Sequence, residues 1–215
     1  MIVRKTYRFL SHSCFFDKQL SLYFLKSSAK LIYLEQLQTK RMFRSFNELP
    51  NKMNTWHKYL VAENVEAKSG DKILPRQVRN CHFTIVLPEN VPNPNLVIAS
   101  TDCAQSLGLQ PEELQSPLFT RIFSGNERIS GFDRPYSTIY GCHSYGQWFG
   151  QLGDGRAITL GEVINSEDPP NQEYVSDGIR ELQLKGSGRS PYSRGFDGRA
   201  VLRSSIREFL GNILA

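Results

Sequence analysis

Between Tyr140 and Leu214 a glycine turn, two strand-like runs and a long helix follow one another, with only the polar segment from Ile164 to Asp177 between them. A chain ordered this way reads as a mixed α/β fold with a phosphate site. Gly153 and Gly155 flank Asp154 and lead into Arg156, Ala157, Ile158, Thr159 and Leu160, a run rich in apolar and β-branched residues that predicts a strand. Glycine accepts positive φ and lets the backbone approach a ligand, so such a turn can aim several N–H groups at phosphate oxygens. Taken alone, Gly-Asp-Gly is also an ordinary hairpin turn, and that is the plainer reading.

The alternation Glu181, Leu182, Gln183, Leu184, Lys185 predicts a second strand, with both leucines on one face and Lys185 on the polar face at the strand end. A lysine there is commonly just solvated. From Gly198 to Leu214, Leu202, Ile206, Phe209 and Ile213 recur as one helical stripe, and Asp197 is placed to cap the helix with a carboxylate at its positive end. Glu208 lies off the stripe, one turn past Ser204 and Ser205. Its local role is a surface charge paired with an arginine of the set Arg199, Arg203 and Arg207. Together, a glycine loop, a strand lysine and a glutamate on the next helix are the parts of a kinase-type nucleotide site, where the lysine holds phosphates and the glutamate positions the lysine.

Four strings carry a more specific likeness: GQLGDGRA (Gly150 to Ala157), LQLKGSG (Leu182 to Gly188), SPYSR (Ser190 to Arg194) and DGRAVLRSSIREFL (Asp197 to Leu210). With PRQVRN (Pro75 to Asn80) they resemble selenoprotein O, the YdiU-type protein adenylyltransferases of protein-kinase-like fold, over roughly residues 46 to 215. The resemblance implies a kinase-like N-terminal lobe of α/β (α+β) class. It implies ATP bound in an orientation flipped relative to kinases, Mg²⁺, and transfer of AMP to Ser, Thr or Tyr hydroxyls of protein substrates. Carried over residue by residue, the nucleotide contacts it implies are Gly153, Gly155, Arg156, Lys185, Asp197 and Gly198, with Glu208 as the partner of Lys185. Ser144-Tyr145 and Ser190 depart from the family's usual Gln-Phe and Thr. Family members run on into a segment with further phosphate-binding arginines, a catalytic Asp and the Asn and Asp that hold Mg²⁺. The expectation is therefore a chain truncated before the catalytic lobe, with no catalytic or metal residue before Ala215 and no AMP transfer by itself. A noncatalytic nucleotide-binding or partner-binding fragment is the alternative.

Charge location bears on partners. The 215 residues carry +5 overall, but residues 1–44 hold nine of the 26 Lys and Arg against two acids, a net of +7. The remainder, with 17 basic and 19 acidic residues, carries −2, which argues against a nucleic-acid partner. The acid-poor leader with clusters such as Leu20 to Leu25 fits a mitochondrial presequence, and a mis-started frame with Met42 or Met53 as the true beginning is the bland alternative. Lys26, Lys30 and Glu35 interrupt its apolar runs, so no membrane span is expected.

Cys14, Cys81, Cys103 and Cys142 are too widely spaced for zinc pairs or a disulfide framework and read as reduced, mostly buried thiols. Cys142 and His143, adjacent on a strand, read as two unrelated side chains. Upstream of the glycine turn, His82 to Leu87 and Leu96 to Ala99 are strand candidates around a Pro/Asn turn. A helix capped by Ser100 or Thr101 is expected to stop at Gly108, and another to run from Pro111 to about Phe123 and end at Ser124-Gly125.

Overall fold

The computed structural model describes residues 2–5, 55–64, 73–164 and 179–213; most of the basic leader and the polar run 165–178 lie outside the described residues. The fold is α+β. Strands β1 (Ile2–Lys5), β2 (Phe83–Ile85), β3 (Tyr136–Thr138), β6 (Ala157–Ile164) and β7 (Ile179–Lys185) form one sheet in the order β1-β7-β6-β3-β2. Every neighbouring pair in it is antiparallel. Strands β4 (Gly141–Ser144) and β5 (Gln147–Gln151) make a separate hairpin. The helices are α1 (Thr55–Tyr59), α2 (Thr101–Ser106), α3 (Pro117–Ser124) and α4 (Leu202–Ile213). Among the described residues no helix is long and apolar enough to cross a membrane.

The alternation in β7 works as the sequence predicts on one side. Leu182 and Leu184 are buried with Leu160 and Val163 of β6 against Leu107, Leu114, Phe119 and Ile122 from the helical segment, where each large apolar side chain contributes about 1.5–3 kcal/mol. The polar side is not solvated. Gln183 is buried, donating to Thr159, and the Thr159 hydroxyl donates to Glu181 at 3.0 Å. Strand β6 carries a bulge between Thr159 and Gly161, where an added Cβ would meet the Phe132 ring at 2.5 Å.

Ser100 caps α2 by accepting from the Cys103 N–H, and Gly108 turns the chain at φ 77°, both as expected. The helix expected from Pro111 to Phe123 is instead broken in two. Pro111–Gln115 is a 3₁₀ turn, Ser116 is extended at ψ 143°, and α3 starts afresh with the Ser116 hydroxyl capping the Phe119 N–H. The cause is Pro117, which excludes the residue before it from helical ψ. Leu96 to Ala99 is not a strand; Leu96, Val97 and Ile98 are exposed coil, with no strand beside them among the described residues. Cys81, Cys103 and Cys142 are only half-buried, and the His143 ring packs on Trp148 at 4.8 Å while the Cys142 thiol donates to the His143 carbonyl.

On the far edge, the His57 ring stacks on Phe83 (4.7 Å between centroids, 5° between planes) and meets Tyr136 edge-on. Its buried Nε2 has no hydrogen-bond partner among the described residues. Burial, aided by the Arg134 charge, lowers its pKa to about 4. A histidine depressed in the fold takes up its proton more readily when unfolded, so stability is full above about pH 6.5 and is lost as pH falls from there towards 4. The urea midpoint is therefore expected to drop between pH 7 and 5, and His57→Phe, which keeps the stack without the titration, is expected to flatten that drop. An equal drop in the variant would show that other groups carry it.

Candidate nucleotide site

Gly153, at φ 69°, has its missing Cβ position 2.6 Å from the Tyr192 ring, and that of Gly155 lies 2.8 Å from the Tyr192 carbonyl oxygen. The glycines are required by the segment behind them, which clasps the turn. The Ser190 hydroxyl donates to the Asp154 carbonyl at 2.7 Å and the Ser193 hydroxyl to that of Gly155 at 2.5 Å. Tyr192 is in turn held by Thr84 (2.9 Å), whose hydroxyl donates to Glu63, and Glu63 also accepts from Arg76. Burial pushes the Tyr192 phenol up to about 12, so this chain of bonds stays intact through the neutral range. In front, the Asp154 carboxylate accepts from the Thr138 N–H and hydroxyl.

The backbone donors of the turn are directed inward. Gly153 N–H donates to Tyr140, Asp154 N–H to Thr138 and Gly155 N–H to Gly153. A cradle of these three amides around a phosphate, which the glycine pattern suggests, is not what the chain builds. Positive charge in the site comes from side chains.

Lys185 ends β7 opposite Ala157, and the Gly186 N–H donates to the Arg156 carbonyl at 2.7 Å, which sets Arg156 and Lys185 side by side. Helix α4 crosses them. Lys185 Nζ donates to Glu208 Oε1 at 2.7 Å, and an Arg156 guanidinium nitrogen donates to the Ser204 hydroxyl at 3.2 Å. The hydrogen bond from Lys185 holds the Glu208 carboxyl below its usual range, with the Arg156 and Arg207 charges acting in the same direction against its partial burial. At 25% and 29% side-chain exposure such a pair adds less than about 1 kcal/mol to stability. Its effect is to fix where the ammonium sits.

Asp197 does not cap α4. Its carboxylate accepts from the Arg199 N–H at 2.9 Å in a local turn, Gly198 is left-handed at φ 72°, and Arg199 forms a β-bridge with Ser187. The helix therefore begins at Leu202, four residues after the predicted start, with the Ser204 and Ser205 N–H groups closing on the Val201 carbonyl. Of its apolar stripe, Leu202 and Ile206 are exposed and Phe209 is half-buried; the Ile213 side chain lies outside the described residues.

These parts surround a cleft of about 630 Å³. Gly153, Gly155, Arg156, Lys185, Asp197 and Gly198 all line it, and Glu208 lines the adjoining recess with Arg156, Lys185 and Ser204. The sequence reading did not assign Arg194, Arg199, Tyr140 and Phe196 to this wall. Their signals were weak ones: Arg194 ends the SPYSR string and Arg199 belongs to a basic cluster of the kind surface helices carry. The volume is that of a small-ligand site, and four cationic side chains against Asp154 and Asp197 suit a polyphosphate. A divalent metal is not similarly provided for among the described residues. Among the described residues no three His, Cys, Asp or Glu side chains gather, and Asp154 and Asp197 already accept the hydrogen bonds above.

Comparison with known proteins follows the same residues. The family model described as protein adenylyltransferase SelO matches residues 74–214. The protein nucleotidyltransferase YdiU of Azoarcus sp. (strain BH72) is 50% identical over 135 residues, covering 63% of this chain and 24% of that protein. The same-named protein of Xanthomonas campestris pv. campestris (strain B100) is 53% identical over 128 residues, covering 60% and 23%. That of Tolumonas auensis is 49% identical over 137 residues, covering 63% and 24%. The chain thus spans about a quarter of the length of the curated relatives it matches. With two thirds of its length inside the family model, the chain belongs to the SelO/YdiU family of protein nucleotidyltransferases.

Proposed function

We propose that this chain is the ATP-clamping part of a protein adenylyltransferase, an N-terminal lobe of protein-kinase type whose full-length form passes AMP from ATP to Ser, Thr or Tyr hydroxyls of proteins. The observation that carries the reading is the Lys185–Glu208 pair on the wall of a cationic cleft. A fixed ammonium beside the Arg156 fork is what stabilises charge on a polyphosphate as a phosphorus–oxygen bond breaks. In AMP transfer the hydroxyl oxygen bonds to the α-phosphorus and pyrophosphate leaves. Magnesium, whose ligands this reading assigns to the longer relatives' remaining length, would neutralise phosphate charge in that step.

The test separates three chemistries. In a protein of the relatives' full length carrying these residues, label from the α-phosphate of ATP is expected on protein hydroxyls and label from the γ-phosphate is not. The 215-residue chain alone is expected to bind ATP without transferring it. Transfer of γ-label would make the enzyme a kinase, and binding without any transfer at full length would favour the noncatalytic nucleotide-binding reading.

A further inference from the structure

Among the described residues four other than glycine have positive φ: Asn80, Asn93, Tyr145 and Arg194. Two are asparagine, which tolerates the left-handed region, and Tyr145 sits before Gly146 at the tip of the β4–β5 hairpin. Arg194 is the fourth, at φ 52°, and it borders the cleft. It occupies the first central position of a turn closed by the Phe196 N–H donating to the Ser193 carbonyl at 3.0 Å, with Gly195 second at φ 85°. Two successive positive φ values define a type I′ turn, where Asn, Asp or Gly is the favoured first residue and arginine is costly. Tyr145–Gly146 makes a turn of the same kind at the hairpin tip, so the backbone alone does not single out Arg194. Such positions cluster at ligand-contacting sites, and of these two turns it is Arg194–Gly195 that borders the cleft, where a ligand-contacting purpose is within reach.

The neighbouring charges indicate that purpose. Of the four cationic side chains on the cleft wall, Lys185 is paired with Glu208 at 2.7 Å and Arg199 with Glu89 at 3.1 Å. Arg156 donates to Ser204 and lies in the field of Glu208. Arg194 has no ion pair or side-chain hydrogen bond among the described residues and is exposed. Its backbone is nevertheless placed firmly, because the preceding Ser193 is bonded to Gly155 and accepts from the Ser190 N–H at 2.9 Å. A guanidinium on a fixed base, exposed on the wall of a cationic cleft and without an ion pair among the described residues, is accessible to an anion.

We propose that Arg194 grips the phosphate chain of the nucleotide, a contact that rests on the nucleotide reading above and adds to it a residue that reading did not include. The variant that tests it is Arg194→Gly, since glycine relieves the left-handed strain while removing the charge. Titration of the full chain with ATP by calorimetry is expected to show affinity about tenfold weaker than wild type, the scale of one charge-assisted hydrogen bond. The melting temperature is expected to rise by about 2 °C. Arg194→Lys, which keeps charge but loses the fork, is expected to fall between the two in affinity. Wild-type affinity in Arg194→Gly, with Lys185→Ala weakened, would overturn this inference and leave the nucleotide reading standing. A lowered melting temperature in Arg194→Gly would also overturn it, since the residue would then be part of the fold's support. Failure of the wild-type chain to bind ATP would overturn both.

Discussion

Replacing Lys185 with alanine is expected to lower nucleotide transfer by at least about a hundredfold, the usual cost of losing one preorganised charge at a reacting phosphate. The fold should survive it. The side chain ends a strand, its ion pair with Glu208 is a quarter exposed, and no core volume leaves with it. Glu208→Gln keeps a hydrogen-bond acceptor for the ammonium but removes the charge, so a smaller loss of the same kind is expected, with unchanged stability. Activity measured with α-labelled ATP in the full-length context, beside a urea unfolding curve for each variant, separates the two effects. Full activity in Lys185→Ala would remove the clamp assignment. Full activity in Glu208→Gln would return Glu208 to the surface-charge role its neighbours Arg203 and Arg207 suggest.

The other large effect concerns stability. Gly198→Ala is expected to cost on the order of 3 kcal/mol, which in a chain this size lowers the melting temperature by roughly 9 °C. An alanine Cβ there would lie 1.9 Å from the Gly188 carbonyl oxygen, at a φ of 72° that side chains resist. Neither neighbour can yield cheaply. Gly188 is buried with its own missing Cβ position against Glu89, and Arg199 is bridged to Ser187. Thermal unfolding of the variant checks this, and a melting temperature within a degree of wild type would mean that the 186–189 and 197–200 segments are not packed as described.

Gly198 also shows why parts of the site were not legible in the sequence. Asp197-Gly198 before a helical stripe reads as a cap and a helix start, because those signals are local. The backbone at 198–200 is instead committed to the strand end at Ser187 and Gly186, a tertiary contact that delays the helix to Leu202. The β7 alternation was legible because its leucines face a core, whereas the burial of Gln183 on the opposite face depends on Thr159 and Glu181. The same limit applies to the glycine turn. Its two glycines mark a tight place, but the serines that fill it come from 36 and 38 residues further on, and the sequence gives no sign that its amides are used internally. The pairing of Lys185 with Glu208 is legible only from the combination of glycine loop, strand lysine and next-helix glutamate, since nothing in a separation of 23 residues by itself favours that glutamate over an arginine-paired one.

The clasp of Ser190, Tyr192 and Ser193 bears on the timing of ligand capture. A loop that folds down over its ligand adds a first-order step after collision, and the observed rate then saturates as ligand concentration rises. The 153–155 turn has its three amides, its three carbonyls and both glycine faces engaged by the protein itself. A turn so engaged is expected to let an anion enter the cleft in a single collision, steered by exposed cations and slowed by added salt, with an observed rate that climbs in proportion to ligand concentration.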